Sequence, residues 1–211
     1  MVKIIAIDGP ASVGKSTLAK KLAKKYRSPI LYSGKLYRAV AAEVIKKKIK
    51  IDNISEIVKC VDHIDLKKLD SGELYTSMVD NISSIISAKK KLRDKLLMFQ
   101  RNFPSKYGAR CEYAIIEGRD IGTIIFPKAH YKIFLWADSK IRAKRRYEQI
   151  KKNGKKASFN KIFNEINARD LKDLSRKIAP LIPATNSVLL DTSYIDIEQA
   201  FNALRKIISK N

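Results

Sequence analysis

Apolar residues recur along this chain in two rhythms, and the places where one rhythm gives way to the other mark the elements of an α/β fold. Val2 to Ile7 is a continuous apolar run of strand length, and Leu18, Ala19, Leu22, Ala23 and Tyr26 follow it at spacings of three and four, as on one face of a helix. Pro29 to Tyr32 reads as a second short strand. Ser33-Gly34 then caps a helix that continues through Ala39, Val40, Val44 and Ile45. Tyr113 to Ile116 reads as a buried strand, Tyr131 to Trp136 as a fourth and Val188 to Leu190 as a last short one, and an amphipathic helix over Ile197 to Ile208 closes the chain. Strands alternating with helices predict a parallel sheet of five strands covered on both faces, a three-layer αβα build.

Two stretches depart from this alternation. Residues 50 to 110 carry weak strand signals and read as a helical insertion: Ile54, Ile57, Val58 and Val61 mark a short helix, and Ser77 to Ser87 and Lys89 to Phe103 mark two more joined near Ala88. Modest alternation from His63 to Tyr75 predicts a small hairpin, and Asp70 to Gly72 and Pro104 serve as turn markers. The second departure is a pair of helices, one starting at Asp138 and broken near Asn153-Gly154, the other running from Phe159 through Arg176.

Composition changes this picture little, except in charge. Over 211 residues, 44 Lys and Arg stand against 21 Asp and Glu, a net charge of +23. So basic a chain raises the question of nucleic acid. Only 12 of the cations are arginine, however, and the lysines lie in short scattered runs such as Lys46 to Lys48 and Lys89 to Lys91, as on solvated faces. No specific nucleic-acid partner is expected. No apolar run has the roughly 18 to 20 residues that cross a bilayer, and the amino terminus lacks the layout of a signal peptide. A soluble, cytoplasmic protein without a membrane partner is the expectation. Cys60 and Cys111 lie far apart in sequence, and neither a disulfide framework nor a zinc site is expected.

The first candidate site lies between the first strand and the first helix. Gly9 to Thr17, G-P-A-S-V-G-K-S-T, fits G-x-x-x-x-G-K-[ST], with Gly9, Gly14, Lys15 and Ser16 at the fixed positions and Pro10, Ala11, Ser12 and Val13 between the glycines. A loop from the carboxyl end of a strand to the amino end of a helix aims unpaired N–H groups and a helix dipole into one concavity, which suits a polyphosphate. Lys15 can reach the outer phosphates, and the Ser16 hydroxyl can ligate a magnesium ion.

Three further groups of residues could face that loop. The third strand delivers Glu117, Arg119 and Asp120 within four residues, and charges so placed need partners. A bound phosphate would suit the planar fork of Arg119; the plainer alternative is a structural Glu117–Arg119 ion pair. Tyr37 and Arg38 lie in the first turn after the second strand, at the sheet edge where ligands bind in open α/β folds, or else are core and surface respectively. The paired helices carry Arg142, Arg145 and Arg146, then Arg169, Asp173 and Arg176, at spacings that make two one-sided stripes. They read as a mobile lid over a triphosphate, or as a solvated basic hairpin.

Together these motifs resemble the bacterial cytidylate kinase family, within the P-loop nucleoside monophosphate kinases. The resemblance rests on I-D-G-P-A-S-V-G-K-S-T at Ile7 to Thr17, S-G-K-L-Y-R at Ser33 to Arg38 and E-G-R-D-I-G-T at Glu117 to Thr123 with Phe126-Pro127. It also takes in R-A-K-R-R at Arg142 to Arg146, A-R-D-L-K-D at Ala168 to Asp173 and A-P-L at Ala179 to Leu181. It implies a single kinase domain over 1–211, with a core of 1–50, 111–138 and 177–211, a monophosphate-binding insert at about 51–110 and a lid at about 139–176. The implied reaction is transfer of the ATP γ-phosphoryl group to CMP or dCMP by a monomer, with magnesium as cofactor. Gly9 to Thr17 would hold ATP, while Ser33, Tyr37, Arg38 and Glu117 would face the monophosphate, with Arg38 and Arg119 gripping its phosphate. Arg93, Asp120 and Ser84 would read cytosine, Arg169 and Asp173 would contact the sugar, and Arg142, Arg146 and Arg176 would join Lys15 and Arg119 in neutralising the transferring group.

The chain departs from the family pattern at Tyr32, where an acidic residue is usual, at Lys35, where a small one is, and at Ala11, which is often serine. Two other functions fit parts of the chain: a kinase for UMP or dTMP, and a basic RNA-binding P-loop protein without turnover. A GTPase is disfavoured by the lack of an N-K-x-D guanine reader.

Overall fold

The computed structural model describes residues 2–65, 68–154 and 156–209. Five strands, β1 (Lys3–Asp8), β2 (Ile30–Tyr32), β3 (Tyr113–Glu117), β4 (Tyr131–Trp136) and β5 (Val188–Asp191), form a parallel sheet in the order β2-β3-β1-β4-β5. Eight α-helices accompany it among the described residues: α1 (Lys15–Tyr26), α2 (Ser33–Lys46), α3 (Ile54–Lys59), α4 (Ser77–Ile86), α5 (Lys90–Gly108), α6 (Ser139–Lys152), α7 (Phe159–Leu174) and α8 (Ile197–Ser209). The central strand β1 pairs with β3 in the register Ile5 to Ile115 and with β4 in the register Ile7 to Ile133. That alignment brings Asp8 and Glu117 to the same carboxyl edge.

Contacts divide the chain into two compact units, residues 1–30 with 104–211, and residues 31–103. In the first, alternate strand residues point to one face, where Ile5, Ile7, Ile115, Ile133 and Leu135 meet Leu18, Ala19 and Leu22 of α1 and Ala200, Leu204 and Ile208 of α8. Sheet residues one position out of phase, Ala6, Ile116 and Phe134, are also buried, which is why the strands read as continuous rather than alternating runs. Helices α6 and α7 have a small core of their own, Ala143, Ile162 and Ile166 with Tyr147 and Phe163 against it. In the second unit Leu36, Val40, Val44, Ile57, Ile86, Leu92 and Leu96 are fully buried.

Three expectations are corrected. No strand forms between His63 and Tyr75 among the described residues; the chain there makes short 3-10 turns at Cys60–His63 and Gly72–Tyr75, while Leu66 and Lys67 of the expected hairpin lie outside the described residues. Pro104 does not end a helix, because α5 runs through it to Gly108. Ser33 is the first residue of α2 rather than its cap; the cap position is Tyr32, which makes no side-chain cap bond, and the Ser33 hydroxyl instead accepts from Gln100 Nε2 at 2.6 Å.

Candidate active site

The loop after β1 owes its path to two glycines that act in different ways. Gly9 has φ +148°, and a Cβ there would overlap the Leu135 carbonyl oxygen on the neighbouring strand, so no side chain fits. Gly14 has open space around it but φ +99°, a left-handed conformation at the amino end of α1 that costs glycine little. Between them Ser12 adopts φ +59°. The resulting cradle turns Lys15 inward: its ammonium donates to the carbonyls of Gly9 at 2.8 Å and Pro10 at 2.7 Å. Burial, followed by the positive charge of Arg119, pulls the Lys15 pKa well below the usual lysine range, against the opposing influence of Glu117. Beside it the Ser16 hydroxyl donates to Glu117 Oε2 at 3.0 Å.

Asp8, the last residue of β1, fixes the opposite wall. Its two oxygens accept the backbone N–H groups of Ile121 at 2.8 Å and Gly122 at 2.7 Å. Those residues open a single π-helical turn, Ile121–Ile125, directly after Arg119 and Asp120. Burial outweighs the two backbone bonds and, with the nearby Asp120 charge, lifts the Asp8 pKa to about 7. The sequence offered the same signal here as at Glu117, a carboxylate at the buried end of a strand, but Asp8 is absent from the expected site residues.

Arginines from two directions converge on one carboxylate. Asp173 of α7, 1% exposed, accepts from Arg119 Nε at 3.0 Å and pairs with Arg176. Burial opposes ionisation of Asp173, but Arg119, Arg176 and Arg169 together hold its pKa below the usual carboxylate value. The Glu117–Arg119 ion pair considered from sequence is therefore replaced by two pairs, Glu117 with Ser16 and Arg119 with Asp173.

The arginines of α6 do not act as one stripe. Arg142 is 2% exposed, and its donors reach Ala137 O at 2.9 Å, Ala11 O at 3.0 Å and Asp170 Oδ2 at 2.6 Å. Arg145 binds the Thr192 hydroxyl and carbonyl, and Arg146 is exposed and donates to Gln149 at 3.0 Å. The cause is depth. Helix α6 passes over the P-loop, so a one-turn difference in position takes a side chain from the core to water.

In the other unit, Arg38 donates to the Leu74 carbonyl at 2.8 Å and pairs with Asp80. Arg93 is buried, donates to Ser87 O at 3.0 Å and lies 5.8 Å from the centroid of the buried Tyr37 ring. Ser84 is half-buried, and its carbonyl accepts from the Ser87 hydroxyl at 2.9 Å, so one turn of α4 joins Ser84 to the partner of Arg93.

A family model described as cytidylate kinase matches residues 5–210. The chain belongs to the cytidylate kinase family. It is 39% identical over 205 residues to a cytidylate kinase of Xanthobacter autotrophicus, covering 97% of this chain and 96% of that one. It is 40% identical over 210 residues to a cytidylate kinase of Acidiphilium cryptum, covering 98% and 95%. Solved structures resemble it in fold: an uncharacterized protein from Eubacterium ventriosum, with a TM-score of 0.60 at 15% identity over 100% of both chains, and an unliganded Janibacter sugar kinase, with a TM-score of 0.52 at 12% identity over 99% and 95%.

For a cytidylate kinase the oxygen donors at Ser16 and Glu117 are of the right chemical kind for magnesium, which favours one or two protein oxygens together with substrate phosphates and water. Among the described residues no group of three or more His, Cys, Asp or Glu could hold a metal by itself. Asp8 is already tied to the turn after Asp120, each of its oxygens accepting one backbone N–H. No helix of the described residues is long and apolar enough to cross a membrane.

Proposed function

We propose that this cytidylate kinase transfers the γ-phosphoryl group of ATP to CMP or dCMP, yielding ADP and CDP or dCDP, as a cytoplasmic monomer. The observation that carries this reading is the concentration of buried positive charge beside the P-loop: Lys15 is destabilised as a cation by burial and by Arg119 and Arg169, and Asp173 is the carboxylate that Arg119 and Arg176 share. A polyphosphate is the ligand that would relieve that repulsion. Lys15 would exchange the Gly9 and Pro10 carbonyls for phosphate oxygens, and the loop N–H groups would hold the rest of the chain of phosphates.

Phosphoryl transfer passes through a loose transition state, in which positioning and charge neutralisation do most of the work. Lys15, Arg119 and Arg176 would neutralise the transferring group, and Arg169 and Asp173 would meet the acceptor's sugar. Ser16 and Glu117 would hold magnesium, which would supply neutralisation of phosphate charge when bound. Arg38, Ser33 and Tyr37 would receive the monophosphate, and Arg93, Ser84 and Asp120 the cytosine. Arg142, whose donors are engaged by Ala11 O, Ala137 O and Asp170, would hold the P-loop in place and would join the neutralisation of the transferring group by exchanging one of these partners for it. Arg146, exposed and bonded to Gln149, would reach the transferring group only after a change of conformation in α6.

An ATP-coupled assay across the common nucleoside monophosphates tests the reading. CMP and dCMP should give the highest kcat/KM, by at least about tenfold over UMP, dTMP, AMP and GMP, since a misplaced donor or acceptor at a base-reading group costs on the order of 1 to 3 kcal/mol. A preference for UMP or dTMP would overturn it. Lys15→Ala should lower turnover by about 10³-fold with an unchanged circular dichroism spectrum. Near-normal activity of that variant would remove Lys15 from the mechanism.

A further inference from the structure

Two cations of α2, Lys35 and Arg38, stand one helical turn apart and therefore share a face. Their side chains are only 15% and 16% exposed. Both are held by the same short stretch of the same unit, residues 70–80. The Lys35 ammonium pairs with Asp70 and lies 3.9 Å from the centroid of the Tyr32 ring. The Arg38 guanidinium pairs with Asp80, donates to the Leu74 carbonyl and lies 5.3 Å from the centroid of the Tyr75 ring.

The two pairs differ in a way that bears on function. Asp70 is 83% exposed, so its bond to Lys35 competes with water at every moment, and a solvent-facing ion pair contributes little. Tyr32, by contrast, is half-buried and sits at the cap position of α2, three residues before Lys35. A cation–π contact holds the ammonium in place without using its N–H donors in a directional way, and an ammonium has three of them. Lys35 is thus positioned by one partner and loosely occupied by another. The positions that make this possible, Tyr32 and Lys35, are the two at which this chain departs from the family motif around Ser33-Gly34.

We propose that Lys35 is a second cation for the acceptor's phosphate alongside Arg38, and that Asp70 and Asp80 occupy these two cations in the ligand-free protein until the monophosphate displaces them. The inference rests on the assignment of a nucleoside monophosphate as acceptor. The exchange is favourable in charge, because a phosphate monoester carries close to two negative charges at neutral pH and three acceptor oxygens, where each aspartate offers one charge. It also gives Tyr32 a purpose: the ring keeps the lysine at its post while its partner changes.

Calorimetric titration of CMP into the wild-type protein and into Lys35→Met, Lys35→Arg and Asp70→Asn, paired with steady-state kinetics, tests this. Lys35→Met should raise Kd and KM for CMP by about tenfold, the loss of one charge-assisted bond, with KM rising more than kcat falls and KM for ATP moving less than twofold. Lys35→Arg should recover most of the affinity. Asp70→Asn, which removes the competitor, should lower Kd for CMP about threefold. Binding of cytidine, which lacks the phosphate, should be the same in all four proteins. A Lys35→Met Kd within twofold of wild type overturns the phosphate contact, and weaker CMP binding by Asp70→Asn overturns the competition. If Lys35→Met fails to fold, Asp70→Asn decides at high salt, where the general field of the removed charge is screened: tighter CMP binding that persists there supports release of a cation, and its loss overturns the competition. Failure of the underlying reading is separate and visible: wild-type protein would then phosphorylate neither CMP nor dCMP.

Discussion

Asp8 illustrates how much one side chain can fix when both its oxygens are taken by backbone. Ile121 and Gly122 donate to it across the sheet edge, so it holds the turn after Arg119 and Asp120 at a set distance from the P-loop. Its pKa of about 7 lies above the ordinary 3.8, with burial as the main cause and Asp120 adding to it, while Lys15 and the two N–H groups act the other way. In the pH window between those two values the native state retains a proton that the unfolded chain has released. Stability from this group therefore falls as pH rises through the window and levels off above about 7, with a full amplitude on the order of 4 kcal/mol. Asp8→Asn removes the titration but keeps one acceptor for two N–H donors, so it should be less stable than wild type at pH 4 to 5. Urea unfolding of both proteins from pH 4 to pH 8 should show the wild-type advantage shrinking steadily with pH. An advantage that stays constant or grows would mean that Asp8 is ionised throughout.

At the level of elements, Arg142 joins α6 to the P-loop through Ala11 O and to α7 through Asp170. Truncation to Met would leave a half-buried carboxylate and two carbonyls without their donor, at a cost of about 3 to 5 kcal/mol. Arg142→Met should thus lower the unfolding midpoint and loosen the loop; equal stability with reduced turnover would leave Arg142 to the transferring phosphate alone. The sequence shows arginines here but not their depth, because spacing on a helix gives a face and not what covers it. What was legible follows the same logic. β1 to β4 and α1, α4, α7 and α8 stand out because the core selects apolar residues at their own period, whereas β5 is an edge strand whose Val188 and Leu189 are exposed. The P-loop and Glu117 to Asp120 stand out because rare residue types cluster at strand ends. The missed features depend on non-local partners: alternation from His63 to Tyr75 found no neighbouring strand among the described residues, Pro104 is tolerated within a helix whose buried stripe includes Leu92, Leu96 and Phe103, and Ser33 is claimed by Gln100 from 67 residues away.

For the whole molecule the net charge of +23 poses the broadest question, whether so basic a protein binds nucleic acid for a purpose. The arginines, which read phosphate and base edges best, are drawn inward wherever the site is built: Arg38 to Asp80, Arg93 to Ser87, Arg119 and Arg176 to Asp173, Arg142 to Asp170 and Arg145 to Thr192. Many of the exposed cations are lysines in short separate runs, among them Lys46 to Lys48 and Lys151 to Lys152. Such a surface raises the local concentration of anions without selecting among them. Two measurements follow from this. A 20-nucleotide RNA at 150 mM salt should bind in the non-specific range of about 10⁻⁴ to 10⁻⁶ M, equally for unrelated sequences, with affinity falling log-linearly as salt rises. Over the same salt series KM for both ATP and CMP should rise together, because the same diffuse field attracts them. Nanomolar binding of one sequence at physiological salt, undisturbed by Lys15→Ala, would instead give the charge a partner of its own and make phosphoryl transfer only part of what the chain does.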